Sequence, residues 1–147
     1  MGAGRPLAWA RTTKNTWRIV TSGAATVVID YDVLGTTRFS VQNYLDDTRA
    51  FIAPTGLFLH VAGQLRRPAT VTMRLPDGWT KIATGLDPVP GRPNMFRAPD
   101  VDTLYDCPLL LGNQETFAFD VRGIRHTVAL EDVPGGVDRI RMASNLK

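Results

Sequence analysis

The side chains of this chain that could do chemistry are two histidines, His60 and His126, one cysteine, Cys107, and the adjacent pair Asp46-Asp47. Zinc-dependent hydrolysis needs about three protein ligands and an open position for water. Neither histidine has a second ligand at a suitable spacing, and the sequence contains no HExxH motif. The alternation of apolar residues predicts that His126 is buried or half-buried with a main-chain hydrogen bond, and that His60 has a packing or edge role on a strand. The sequence therefore predicts no metal ligand and no catalytic residue in this chain.

The aspartate pair and the cysteine have similarly structural interpretations. Asp46 and Asp47 could act as paired carboxylates in acid–base chemistry, but adjacent residues on a strand point in opposite directions. A tight corner through Asp47, Thr48 and Arg49 is favoured, in which a short acidic side chain accepts hydrogen bonds from nearby amides. Cys107 has no basic neighbour in sequence to lower its thiol pKa, so we expect a small buried side chain.

The elements that must position these residues follow a period of two, which is typical of strands with one buried face. Helical periodicity is nearly absent. The pattern predicts a loop over 87–97, one helical turn over 101–105 capped by Asp100, and a helix that begins after Gly135-Gly136. Predicted strands cover 17–21, 26–33, 57–61, 69–75, 80–84, 109–111, 116–121 and 124–131.

The length and the regular turn signals predict an all-β fold, an antiparallel β-sandwich with a short C-terminal helical tail. With 147 residues, one sandwich domain over 1–134 is expected, followed by a linker and the start of a helix over 135–147. The net charge of +3 results from 17 basic and 14 acidic residues, and the basic residues are scattered, which does not predict nucleic-acid binding. No apolar run reaches the length of a membrane span, so no membrane partner is predicted. The single cysteine leaves the compartment undetermined, with the cytoplasm as the default.

Several motifs, in this order, carry a resemblance to a known family: 16–19 (TWRI), 28–33 (VIDYDV), 44–51 (YLDDTRAF), 57–59 (LFL), 75–79 (LPDGW) and 104–112 (LYDCPLLLG). The ordered set resembles the N-terminal β domain of the glycyl aminopeptidase family of zinc metallopeptidases, and the resemblance runs from about Pro6 to Leu146. In that family the domain precedes a helical catalytic domain and often a PDZ domain. The resemblance implies a non-catalytic domain that shapes the substrate cleft and packs on the catalytic domain. Zinc is then expected in the absent catalytic domain, and no cofactor is expected in this chain.

The resemblance implies substrate-cleft residues in one segment, namely Asp106, Cys107, Pro108 and Leu110. The family usually has Asp-Ser-Pro, an aliphatic residue, Glu, an aliphatic residue and Gly here. Cys107 replaces the usual serine, and Leu110 replaces the usual glutamate, which would be a natural partner for a substrate α-ammonium group. The alternative is that 109–111 is simply a buried strand.

Two further alternatives concern exposed surfaces. Trp17 and Trp79 are each expected to cover one end of the sandwich core, with a carbohydrate-binding platform as the alternative. The family's domain normally begins some tens of residues earlier, so the opening strands of the sandwich are expected to be missing, which would leave unpaired edges. Such edges favour a homodimer. They also suit the alternative function, a stand-alone β-sandwich module that binds a peptide or protein.

Overall fold

A computed structural model describes residues 5–35, 43–131, 133, 135 and 137–146. The fold is all-β and antiparallel, as predicted, with a one-turn helix and a short C-terminal helix. The chain forms two compact units, Met1–Asp32 and Val33–Lys147. The predicted division at residue 134 stays a prediction.

The elements are β1 (Trp9–Thr13), β2 (Thr16–Ile19), β3 (Tyr44–Leu45), β4 (Ala50–Ile52), β5 (Ala69–Thr72), β6 (Lys81–Thr84), β7 (Asp87–Pro88), β8 (Met95–Ala98), α1 (Val101–Tyr105), β9 (Leu109–Gly112), β10 (Glu115–Val121), β11 (Ile124–Leu130) and α2 (Arg139–Asn145).

The first unit contains one hairpin, in which β1 pairs with β2. Trp17 lies on this hairpin and is 43% exposed, and its predicted place over one end of the sandwich core stays a prediction. The predicted strand over 26–33 is wrong, because its residues pair with no described strand despite their alternation. A strand needs a partner for its backbone groups, and Val28 is left 79% exposed.

The second unit is built around two sheets with a common core. One sheet has the strand order β3-β4-β9-β6 and the other β5-β8-β7, and every neighbouring pair is antiparallel. Leu109 and Leu111 of β9 form one buried cluster, while Val71 of β5 belongs to the other. Phe58 and Met73 pack against both clusters. The two sheets therefore share one sandwich core.

Two connections within this unit differ from the prediction. Residues 57–61 form no strand, because a 3-10 turn over Pro54–Gly56 precedes them and Phe58 N–H donates to Pro54 O at 2.8 Å. The predicted loop over 87–97 is partly strand, since β7 and most of β8 lie within it. The prolines that suggested a loop are tolerated because Pro88 lies in an edge strand, where a missing amide donor breaks no ladder.

The last elements are a hairpin and a helix. Strands β10 and β11 pair over their full length as a separate two-stranded sheet. The predicted C-terminal helix is confirmed as α2, whose first amides are capped by Asp138 Oδ1 at 3.0 Å from both Ile140 N and Arg141 N. Neither helix in the described part of the chain is long and apolar enough to cross a membrane.

Candidate functional site

The segment of interest begins at α1, whose single turn is fixed by its cap. Asp100 Oδ1 accepts a hydrogen bond from Thr103 N at 2.7 Å, as the sequence predicted. This bond, the Thr103 hydroxyl and the nearby Arg66 charge lower the pKa of Asp100. Val101 and Leu104 are buried and anchor the turn in the core. The chain therefore enters 106–112 from a fixed position.

A hydrogen-bonded pair of side chains lies just before the segment. Tyr105 O–H donates to Phe58 O at 2.9 Å, and the same phenol oxygen lies 2.8 Å from His60 Nδ1. The Phe58 carbonyl can only accept, so the phenol O–H donates to it and the phenol oxygen accepts from His60 Nδ1. His60 is exposed and lies on no strand, so the predicted packing or edge role on a strand is wrong; its ring instead links the 57–61 segment to α1.

Asp106 and Cys107 make the turn between α1 and β9. Asp106 is exposed, and its backbone N–H closes the helix by donating to Asp102 O at 3.2 Å. Cys107 is half-buried, and its Sγ would lie 3.1 Å from a Cβ placed on Gly85. Burial raises the pKa of the Cys107 thiol, and the charges of Asp106 and Asp87 raise it further. Cys107 is therefore a packing residue at neutral pH and a poor nucleophile.

Pro108 leads into β9, whose side chains alternate between the core and the outer face of the sheet. Pro108 is exposed, Leu109 is fully buried, and Leu110 is half-buried. Since Leu109 and Leu111 point into the core, Leu110 points to the outer face. The alternative of a simple buried strand therefore describes Leu109 and Leu111 but not Leu110.

Leu110 is the centre of a row that crosses the whole sheet. It lies opposite Phe51 of β4 on one side and Ala83 of β6 on the other, and Phe51 in turn lies opposite Tyr44 of β3. We call Tyr44, Phe51, Leu110 and Ala83 the outer row. Directly opposed side chains share one face of a sheet. The outer row is thus a mainly apolar strip with a phenol at one end.

The predicted corner lies at the polar end of the outer row, with Asp46 rather than Asp47 as the acceptor. Asp46 Oδ1 accepts from Thr48 N at 2.8 Å, from the Thr48 hydroxyl at 2.7 Å and from Arg49 N at 3.0 Å, and Oδ2 accepts from Tyr44 O–H. These bonds, that of Tyr44 first, hold the pKa of Asp46 far below its usual range. The Arg49 guanidinium lies 5.9 Å from the Tyr44 ring centroid and 3.5 Å from Glu131 Oε1. The turn interpretation of the aspartate pair is confirmed.

The second histidine is not where the alternation placed it. His126 is exposed and stacks on Phe119, with ring centroids 5.4 Å apart, so the prediction of a buried or half-buried histidine is wrong. Its strand has the predicted alternation, but the face it shares with Phe119 is not covered by the sandwich. Among the described residues, no group of three or more His, Cys, Asp or Glu side chains could hold a metal ion.

Sequence reasoning missed the outer row because it missed two of its strands. β3 and β4 are only two and three residues long, too short to show a period. The usable signal was Ala50-Phe51-Ile52, an apolar run just before Pro54. The Tyr105–His60 pair had no signal, because its partners are 45 residues apart in sequence.

Comparison with known proteins shows which family and which solved structure the chain is similar to. Residues 1–113 match the model of the Peptidase M61 N-terminal domain. A crystal structure of an aminopeptidase N family protein from Idiomarina loihiensis is similar, with 28% sequence identity and a TM-score of 0.76. The match covers 95% of this chain and 24% of that protein, so this chain spans about a quarter of the length of the relative. No curated protein matches the chain.

The family match covers well over half of the chain and includes the whole segment from α1 to β9. The structural match extends the likeness to the hairpin and helix that follow. Both findings agree with a non-catalytic domain of a peptidase. The chain therefore belongs to the Peptidase M61 N-terminal domain family.

Proposed function

We propose that this chain is the N-terminal domain of a zinc-dependent glycyl-type aminopeptidase, and that it forms one wall of a substrate cleft whose zinc lies on the catalytic domain. The likeness to an aminopeptidase N family protein supports the aminopeptidase class. The resemblance of the ordered motifs supports the glycyl type.

The observation that carries the cleft role is the orientation of residue 110. Leu110 is on the central strand β9 of a four-stranded sheet, yet its side chain points away from the core. A glutamate at this position, as in the resembled family, would face outward, where it could meet a substrate. Asp106 and Pro108 are exposed at the start of the same segment. The segment thus presents Asp106 and Pro108 at the surface and turns the half-buried Leu110 to the outer face, while Cys107 packs against Gly85.

Leucine at position 110, in place of the resembled family's glutamate, has a chemical consequence for the proposed enzyme. A carboxylate can hold the α-ammonium group of a substrate by a charge-assisted hydrogen bond, whereas an aliphatic side chain cannot. In the full-length aminopeptidase the ammonium group is then held by another residue, or binding is weaker than in relatives with glutamate.

The test is Leu110→Glu in the full-length aminopeptidase, with glycyl and alanyl anilides as substrates. We expect the apparent KM to fall about tenfold, which corresponds to ~1.4 kcal/mol. Leu110→Gln is the matched control, since it has nearly the same shape without the charge and should leave KM near that of the wild type. Equal KM values in all three proteins would contradict the cleft role of residue 110.

The second candidate is a stand-alone module that binds a peptide along a strand edge. Within the described residues, β6 and β5 each pair on one side only, which leaves an edge on each sheet. Sequencing the DNA on both sides of this reading frame separates the candidates. A downstream HExxH helix with a later glutamate supports the peptidase, whereas aminopeptidase activity in the isolated 147-residue chain would contradict both.

A further inference from the structure

The hairpin β10–β11 has two chemically different faces. Its cross-strand pairs place Phe117 opposite Val128, Phe119 opposite His126 and Val121 opposite Ile124 on one face. We call this the aromatic face. The opposite face has small and polar pairs, Ala118 with Thr127 and Asp120 with Arg125. Such an asymmetry is typical of a sheet that buries one side against another layer.

The aromatic face has no such layer in the described part of the chain. None of its residues belongs to either core cluster of the sandwich. Ile124 is 65% exposed and His126 is exposed, while Phe117, Phe119, Val121 and Val128 are half-buried. The two strands contact chiefly each other. A two-stranded hairpin is marginally stable by itself in water, so an apolar face of this kind is expected to be covered.

The position of the hairpin indicates what covers it. The family match ends at residue 113, and β10 begins at Glu115. The hairpin therefore lies just beyond the part of the chain that the N-terminal domain family shares.

The helix that follows is tied to the first residue of the hairpin. Glu115 belongs to the aromatic-face register, and its carboxylate is ion-paired with Arg139 of α2 at 2.6 Å and 2.9 Å. Ile140 and Leu146, on and just after α2, are 84% and 54% exposed. The chain thus leaves this region with apolar residues on both the hairpin and the helix still uncovered. In the similar crystal structure, about three quarters of that protein lies outside the match.

We infer that the aromatic face of β10–β11 is the docking surface for the catalytic domain of the parent peptidase. The inference rests on the proposed function and adds the surface through which the two domains pack. The outer row then faces the substrate cleft, while the aromatic face holds the domains together. Two different parts of the chain serve the two roles.

The test compares two lysine substitutions on the same strand. Ile124→Lys places a charge on the aromatic face, and Thr127→Lys places the same charge on the opposite, exposed face. Both are made in the full-length peptidase and in the isolated 147-residue chain, and hydrogen exchange of the β10–β11 amides is measured by mass spectrometry. In the full-length protein we expect wild-type amides to exchange at least about tenfold more slowly than in the isolated chain, because docking suppresses local opening.

The expected result is that Ile124→Lys removes most of this protection and Thr127→Lys does not, while the two variants exchange alike in the isolated chain. Equal exchange of both variants in an active full-length enzyme would overturn the docking inference and leave the proposed function standing. If only Ile124→Lys loses the protection but the full-length protein has no aminopeptidase activity, the proposed function is wrong and the docking inference stands. A dimer of the isolated chain that only Ile124→Lys dissociates would assign the face to a second copy and overturn the inference. A reading frame without a catalytic domain would also overturn it.

Discussion

Strand β9 and the hairpin β10–β11 are neighbours in sequence and both form regular antiparallel pairs, yet their environments differ. In β9, Leu109 is fully buried between two sheets, whereas Ile124 at the start of β11 is 65% exposed. The hairpin has more paired residues than any strand pair of the sandwich. Backbone pairing and alternation therefore assign the faces of a sheet, but only a second layer buries one of them.

The largest difference between these regions should appear when a side chain is truncated. Leu109→Ala should lower the free energy of unfolding by ~2–5 kcal/mol, because it leaves a cavity in the core. Ile124→Ala in the same isolated chain should change it by less than ~0.5 kcal/mol, because water already reaches the side chain. Urea denaturation measures both. Equal losses would show that the hairpin is as closely packed as the sandwich.

Glycines should show the same contrast with a smaller effect. Gly112 has φ +149°, and a Cβ there would lie 3.0 Å from Thr48 O, so Gly112→Ala should cost about 2–3 kcal/mol. Gly123 in the hairpin turn has φ +79° with nothing within 4 Å of a Cβ, so Gly123→Ala should cost only about 1 kcal/mol of backbone strain. Thermal unfolding followed by circular dichroism gives both values. A larger loss at Gly123 would reverse the comparison.

The pH dependence of stability should be greater at the sandwich corner than in the hairpin. Since the folded-state pKa of Asp46 is depressed, its contribution is present above the unfolded-state pKa of about 3.9 and is lost as the pH falls below it. Asp46→Asn should therefore be less stable than the wild type at pH 6, with the difference shrinking toward pH 2. Urea unfolding at several pH values measures this. Asp120→Asn is the control, and a difference for Asp46→Asn that does not change with pH would contradict the role of its charge.

The smallest effect concerns thiol reactivity. Because burial raises the pKa of Cys107, it should react severalfold more slowly with iodoacetamide at pH 7.4 than a cysteine on the exposed face of the hairpin. Ala118→Cys combined with Cys107→Ser provides that comparison. The rate for Cys107 should still rise with pH where the rate for the exposed cysteine has levelled off, because its pKa is raised. Equal rates at neutral pH would show that the segment at 107 opens freely.

Much of the sandwich could be predicted from the sequence. Six strands were placed within a few residues, and the Asp100 cap with its helical turn was predicted to the residue. These elements have strong local signals, namely alternation over several residues or a capping side chain. The predictions at 26–33 and 57–61 failed because alternation alone does not supply a pairing partner. The strands β3, β4 and β7 were missed because two or three residues show no period.

The candidate site, likewise, could be predicted only in part from the sequence. The ordered motifs identified the segment 106–112, which the family match includes up to Gly112. They could not give the direction of Leu110, because a one-residue change in register would turn it into the core. Nor could they bring Tyr44 and Phe51 beside it, since these residues are about 60 positions away in sequence.

The amino-acid order by itself determined the all-β class, the family and the segment where function is proposed, because each depends on local patterns of residue type. Tertiary structure alone decided which apolar face was covered. Val71 and Phe119 both lie on strands that alternate apolar and polar residues, but the first joins the core of the sandwich and the second does not. Burial depends on the arrival of a distant layer, and no local sequence pattern contains that layer.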